Sequence, residues 1–313
     1  MGKILAVSGG VGGAKLALGL SKILSPDELV VVANTADDFE HLGLSISPDL
    51  DTVMYTLAGI SNPIQGWGLA DESWNVMSAL DALGAETWFR LGDRDLATHL
   101  ERSWRLRGGE TLTEVTAKLC ARLGVQHRLI PMSDDPVRTV IKTADGDLPF
   151  QHYFVREQCR PAITGYFFGG LEQARAQPYL MDLLADEALA AIVICPSNPF
   201  VSVAPVLGLP GVRAAMKASR APVIAVSPIV AGVAIKGPAA KMMKELKMPA
   251  SALAVAEYYG DLLDGFVLDE SDAGLLAAIQ QTGIRASCEK TVMKTLDDRI
   301  NLAKVVLSMA AQC

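Results

Sequence analysis

The sequence predicts an α/β fold: a doubly wound, Rossmann-like parallel sheet with a smaller, largely helical inserted region. Three observations predict it. Lys3–Val7 and Glu28–Ala33 are continuous apolar runs, and Ala14–Leu24 between them has helix-like apolar spacing. Such runs mark parallel strands, because helices cover both faces of the sheet. The same pattern resumes at Ala190–Cys195, Val223–Val226 and Gly265–Leu268, so both ends of the chain feed one core. The 313 residues, half of them hydrophobic, suffice for a single α/β domain. Residues 1–59 and 171–313 are read as its core, and about 60–170 as the insertion.

The elements follow in order. Strand, glycine loop, helix and strand over Lys3–Ala33 make one βαβ unit with a right-handed crossover. Trp74–Leu83, Asp95–Arg107 and Leu112–Leu123 read as helices, and Val125–Ile130 as a strand. Thr139–Phe150 resembles a hairpin with Asp145-Gly146 at its turn. The late strand at Gly265–Leu268 is followed by a helix near Asp272–Gln281, and Asp297–Gln312 reads as a closing helix. In such sheets ligands bind at the carboxyl ends of the strands, and the candidate motifs do follow strands.

Composition narrows the function classes. The net charge of −7 argues against nucleic-acid binding, which needs a basic footprint. Five cysteines without CxxC spacing argue against a disulfide framework or zinc site and point to a reducing cytoplasm. No secretory signal is visible at the start, and prolines interrupt the apolar stretches near 188–212 and 221–240, so no membrane association is expected. Oligomeric state is left open, with a symmetric homodimer the commonest arrangement.

Five loop groups can carry chemistry. Ser8-Gly9-Gly10-Val11-Gly12-Gly13-Ala14-Lys15 lets backbone N–H groups approach phosphate at a helix start. It is neither a Walker A loop nor the dinucleotide fingerprint, because Ala14 and Lys15 stand at the wrong places. A turn that only packs helix on strand is the alternative. Asn34-Thr35-Ala36-Asp37-Asp38 offers adjacent carboxylates for Mg²⁺, or a helix cap. Asp49 and Asp51 in Ser47–Thr52 can reach one ion or one hydroxyl, with capping again the alternative. Arg90 and Arg94, flanking Leu91-Gly92-Asp93, can hold a phosphate or carboxylate, or form surface ion pairs; His99 alone reads as structural. The Pro-fixed loops Pro131–Pro136, Pro196–Pro199, Ser227–Ile229 and Lys236–Lys241 can read a base edge or phosphate, or simply turn.

Taken together, Ser8–Lys15, Asn34–Asp38, Ile46–Tyr55, Leu91–His99, Pro131–Pro136, Pro196–Pro199, Ser227–Ile229, Gly237–Lys241 and Ala256–Asp264 resemble the 2-phospho-L-lactate transferase family of coenzyme F420 biosynthesis. The resemblance covers nearly the whole chain. It implies a Mg²⁺-dependent enzyme with a guanosine-diphosphate ester of a small acid as donor: 2-phospholactate, or its enolpyruvyl or phosphoglyceryl equivalent. The implied acceptor is the terminal ribityl hydroxyl of the deazaflavin FO (7,8-didemethyl-8-hydroxy-5-deazariboflavin), and GMP leaves. It places FO against Asp51 and Arg90, where some members have lysine, with Asp51 close to the reacting hydroxyl as base or through the metal. Gly9, Gly10, Gly12, Gly13 and Lys15 are expected at phosphate, Asp37, Asp38 and Asp51 at Mg²⁺, and Ser197, Asn198 and Ser227 at the guanosine end. Two other classes compete: a nucleotide-sugar or dinucleotide-binding regulator like the YvcK-like gluconeogenesis factors, which share the glycine start, and an ordinary NAD-dependent enzyme.

Overall fold

The computed structural model describes residues 2–313. β1 (Lys3–Ser8), α1 (Gly10–Ser21) and β2 (Leu29–Ala33) form the first unit, and a hairpin of β3 (Phe39–His41) and β4 (Leu44–Ile46) leads into α2 (Pro48–Leu57). Helices α3 (Asn75–Ala82), α4 (Asp93–Arg107) and α5 (Leu112–Arg122) precede β5 (Arg128–Pro131). A three-stranded antiparallel sheet of β6 (Arg138–Thr143), β7 (Gly146–Pro149) and β8 (Ile163–Gly169) follows. The chain then runs through α6 (Pro178–Ala185), β9 (Leu189–Ile194), α7 (Ala204–Gly208), α8 (Val212–Ala218) and β10 (Val223–Val226). A small hairpin, β11 (Ile229–Val230) and β12 (Val233–Ala234), precedes α9 (Ala239–Glu245) and α10 (Ala252–Tyr259). β13 (Gly265–Asp269), α11 (Leu276–Gln281), β14 (Arg285–Glu289) and α12 (Leu296–Ala310) close the fold.

The main sheet has seven parallel strands in the order β14-β13-β10-β9-β1-β2-β5. From β1 the chain builds one way through β2 and β5, and from β9 the other way through β10, β13 and β14. The order therefore reverses between β1 and β9, and a crevice opens at their carboxyl ends. Alternate strand residues serve opposite faces. Leu5, Val7, Val30, Val32, Ile192 and Ile194 join the core under α6, α8 and α10. Ile4, Ala6, Leu29, Val31, Ala191 and Val193 join the core under α1, α2, α5 and α12.

Three expectations are corrected. β5 lies inside the stretch read as insertion but pairs with β2 as the edge strand of the main sheet, because its apolar residues Leu129 and Ile130 are needed to cover that edge. The helix expected from Ala14 begins at Gly10, where a φ of +60° turns strand into helix, a conformation glycine adopts without strain. The turn of the β6–β7 hairpin is Ala144-Asp145, since Thr143 pairs with Gly146; Gly146, at φ +121°, opens β7. The β3–β4 hairpin is an addition. Its turn, Leu42-Gly43, has positive φ at both residues, and leucine there gives no turn signal.

Gly19 tests how tightly α1 crosses α12. A Cβ at Gly19 would stand 2.1 Å from the Arg299 carbonyl oxygen, a backbone atom. Gly19→Ala adds about 1 kcal/mol of helix propensity, yet it should cost about 1–3 kcal/mol net through overpacking. Urea unfolding of the two proteins checks this, and an unchanged or raised midpoint would show that the helices can part.

Candidate functional site

The crevice at the carboxyl ends of β1 and β9 is a cavity of about 600 Å³. Of the residues expected at ligand, Gly9, Gly10, Gly12, Lys15, Asp37, Asp51, Arg90, Ser197, Asn198 and Ser227 line it, and Gly13 and Asp38 do not.

The glycines bring two strand ends together. A Cβ at Gly12 would fall 2.3 Å from the Pro196 carbonyl oxygen, and one at Gly13 would fall 2.5 Å from the hydroxyls of Ser8 and Ser197. Ser197 locks the contact, accepting from the Gly9 N–H at 3.0 Å and donating to the Gly9 carbonyl at 2.8 Å. The Gly10 N–H donates to Asp49 Oδ1 at 2.8 Å. The next groups, the N–H of Val11 and Gly12, fall among those that an α-helix leaves without an intrahelical partner. The packing role of the glycines and an anion-facing helix start thus coexist. Lys15 Nζ donates to the Met293 carbonyl at 3.0 Å. Burial, then the charges of Arg299 and Lys236, lower its pKa. Asp269 holds the neighbouring segment, accepting from the Thr291 N–H at 3.0 Å and its hydroxyl at 2.9 Å.

Carboxylates gather beside the glycine loop. Asn34 bridges the β2 end to α2: its Oδ1 accepts from the Ala36 N–H at 3.0 Å, and its Nδ2 donates to Asp49 Oδ2 at 2.9 Å. Pro48 starts α2 and places Asp49 and Asp51 in its first turn. Burial, then the neighbouring charge of Asp49, hold Asp37 well above the usual carboxylate range. Burial raises Asp49 as well. Asp38 accepts from the Ser47 hydroxyl at 2.7 Å, and burial pushes its pKa up to about 8 despite that bond.

Asp51 differs, because a cation meets it. Arg102 Nη1 donates to Asp51 Oδ2 at 3.0 Å, and Nη2 binds Oδ1. His99 Nδ1 lies 3.2 Å from Arg102 Nη1 and 3.7 Å from Asp51 Oδ2. Its Nε2 lies 3.3 Å from Asp95 Oδ1, which accepts from the Tyr55 hydroxyl at 2.7 Å. Burial works to raise Asp95, but the close approach of His99, the Tyr55 hydrogen bond and the charge of Arg102 outweigh it, so its pKa is lowered. Asp51, Tyr55, Asp95 and His99 line the cavity; Arg102, 1% exposed, stands behind them.

Asp37 and Asp49 are the carboxylates suited to a hard cation. Asp37 Oδ1 is buried with no hydrogen-bond partner, and neither residue meets a cationic side chain among the described ion pairs. Among the described residues no three His, Cys, Asp or Glu side chains are grouped as a metal site. An ion here would complete its oxygen shell from a bound phosphate and water, as Mg²⁺ commonly does. The remaining wall is aromatic, with Trp67, Phe89, Phe150 and Phe154, and Arg90 lies over the Trp74 ring at 4.3 Å.

Sequence reasoning weighed Asp49 only as reaching an ion or a hydroxyl, named Asn34 and Tyr55 only within longer stretches, and did not find Arg102 or Asp269. One signal was present: Asp95, His99 and Arg102 share a helix face at i, i+4 and i+7.

The raised carboxylates carry a sign. The folded chain keeps a proton on Asp38 after the unfolded chain has lost its own, so that contribution to stability is fully present below about pH 4 and is lost as pH rises through about 8. Without divalent cations, Asp38→Asn should flatten the decline of the urea midpoint over that window, by at most about 1.4 kcal/mol per pH unit. An unchanged slope would place the proton elsewhere.

Comparison with known proteins bears on the family. The sequence profile described as "2-phospho-L-lactate transferase CofD" matches residues 4–305. A phosphoenolpyruvate transferase of Kitasatospora aureofaciens is 39% identical over 99% of this chain and 98% of its own. A 2-phospho-L-lactate transferase of Methanosarcina mazei is 39% identical over 97% of this chain and 99% of its own. A Bacillus halodurans structure described as a member of the upf0052 family shares the fold, with a TM-score of 0.65 at 15% identity over 98% of this chain and 99% of its own. These matches select an enzyme, a transferase, over the regulator and the NAD-dependent readings. Matched from end to end by profile and relatives alike, the chain belongs to the 2-phospho-L-lactate transferase CofD family.

Proposed function

We propose that this chain moves a phospho-acid moiety from a guanosine-diphosphate ester to the ribityl hydroxyl of FO, releasing GMP, with Mg²⁺ as cofactor. The acid is 2-phospholactate or its enolpyruvyl or glyceryl equivalent. The single observation that carries the reading is one cavity with three kinds of wall: a helix start with Lys15, a carboxylate group, and an aromatic surface with Arg90. A diphosphate, a metal and a flat polycyclic acceptor each find matching chemistry there.

Phosphoryl-type transfer depends on positioning and on neutralising the charge of the leaving phosphate. Lys15 supplies a cation whose burial an anionic donor would offset. Mg²⁺, when bound, neutralises diphosphate charge, and Asp37 and Asp49 are the residues that would hold it. Asp51, already paired with Arg102, is better suited to accept a hydrogen bond from the acceptor hydroxyl than to ligate metal. Arg90 and the aromatic wall hold the deazaflavin ring. Ser197 and Ser227 shape the guanosine end through their backbone contacts.

The relatives that share 39% identity bear the names of two different acids, so overall similarity favours neither. Incubation of the purified protein with FO, Mg²⁺ and each of the three donors, read by mass spectrometry, is expected to give one new phosphodiester and free GMP. The productive donor names the acid; no product from folded protein in any tube would overturn the reading. Arg90→Ala should raise the KM for FO about tenfold while leaving that for the donor unchanged, since one charge-assisted contact is worth about 1.5–3 kcal/mol. A rise in donor KM instead would move Arg90 to the diphosphate.

A further inference from the structure

We propose that Arg102 is a positioning residue for Asp51, fixing its carboxylate toward the acceptor hydroxyl from behind the cavity wall. The inference rests on the reading of Asp51 given above. Arg102 itself does not line the cavity.

The two residues sit 51 positions apart, Asp51 on α2 of the core and Arg102 on α4 of the helical region. The guanidinium binds both oxygens of Asp51. A fork on two oxygens fixes the plane of a carboxylate, which a point charge cannot do. The remaining lone pairs of Asp51 are then the ones available to the cavity. Arg102 is held in turn. Its Nη1 lies 3.2 Å from His99 Nδ1, and His99 Nε2 lies 3.3 Å from Asp95 Oδ1. The Tyr55 hydroxyl fixes Asp95 at 2.7 Å. Tyr55 follows Asp51 by one helical turn on α2, so the network closes on the helix from which it started.

Stability alone is a poor reason for this arrangement. A buried ion pair is often no more stabilising than apolar residues of the same volume. A carboxylate held to a fraction of an ångström is, however, what a transfer reaction needs, since a misplacement of about 1 Å can cost about 100-fold in rate.

A double-mutant cycle tests the assignment. Arg102→Lys keeps the charge and loses the fork. It is expected to lower kcat about 100-fold, with the donor KM within about twofold and a retained melting transition. Asp51→Asn should lower kcat at least as far. In the Asp51→Asn background, Arg102→Lys should change kcat by less than about threefold, because residues acting as a unit are not additive. Independent, additive losses would overturn the proposal, as would a normal kcat in Arg102→Lys. Should that variant not fold, Arg102→Gln in the Asp51→Asn background removes both charges of the pair together. A kcat equal to that of Asp51→Asn alone then supports the assignment, and a further tenfold loss (about 1.4 kcal/mol) overturns it. The two failures are separable. If Asp51→Asn retains full turnover, the reading of Asp51 falls and the role of Arg102 with it. If Asp51→Asn is inactive and Arg102→Lys is not, only the positioning role falls.

Discussion

Burying carboxylates without enough cations to meet them is the constraint around which this molecule is arranged. Asp37, Asp38, Asp49 and Asp51 lie within fifteen residues of sequence and all four are buried at the carboxyl ends of β1 and β2. An isolated ionised carboxylate in such a place is costly, so each must be protonated, hydrogen-bonded or paired. The chain gives them different answers. Asp51 receives Arg102, Asp49 receives the Gly10 N–H and Asn34, Asp38 receives the Ser47 hydroxyl on one oxygen, and Asp37 and Asp38 each keep an oxygen with no partner.

That inequality sorts the roles. Carboxylates buried without a cation suit a divalent ion, which would offset the burial that raises Asp37 and Asp49 and the charge of Asp49 that adds to it at Asp37. A carboxylate already matched by a guanidinium is a fixed hydrogen-bond acceptor and a weaker competitor for metal. The helix start of α1 and Lys15 add positive potential that would suit the proposed diphosphate donor. The proposed acceptor, metal and donor would thereby have separate surfaces in one cavity, as a transfer between two bound substrates needs.

Holding this cavity together requires the close approach of backbone segments distant in sequence. Gly12 and Gly13 let α1 press against the loop after β9, and Ser197 spans the joint to Gly9. The second joint is polar: Asp95, His99 and Arg102 on α4 interlock with Asp51 and Tyr55 on α2. The helical region is thus attached to the core through the residues that finish the site.

The parallel sheet was legible because its strands are buried on both faces, and burial leaves continuous apolar runs such as Leu29–Ala33 in the sequence. The glycine loop and Asp37 could be placed at the cavity from sequence because they follow ends of main-sheet strands, where this architecture opens its crevice, whereas Asp51 reaches the cavity on α2 after a separate hairpin. The edge strand β5 and the Leu42-Gly43 hairpin were not, since a short strand at a sheet edge and a turn with leucine at positive φ carry little local signal. Within the site, composition and spacing alone determined that carboxylates would crowd the end of β2. Only the tertiary structure decided which of them meets a cation, because Arg102 lies 51 residues beyond Asp51 and charge pairing acts through space, not along the chain.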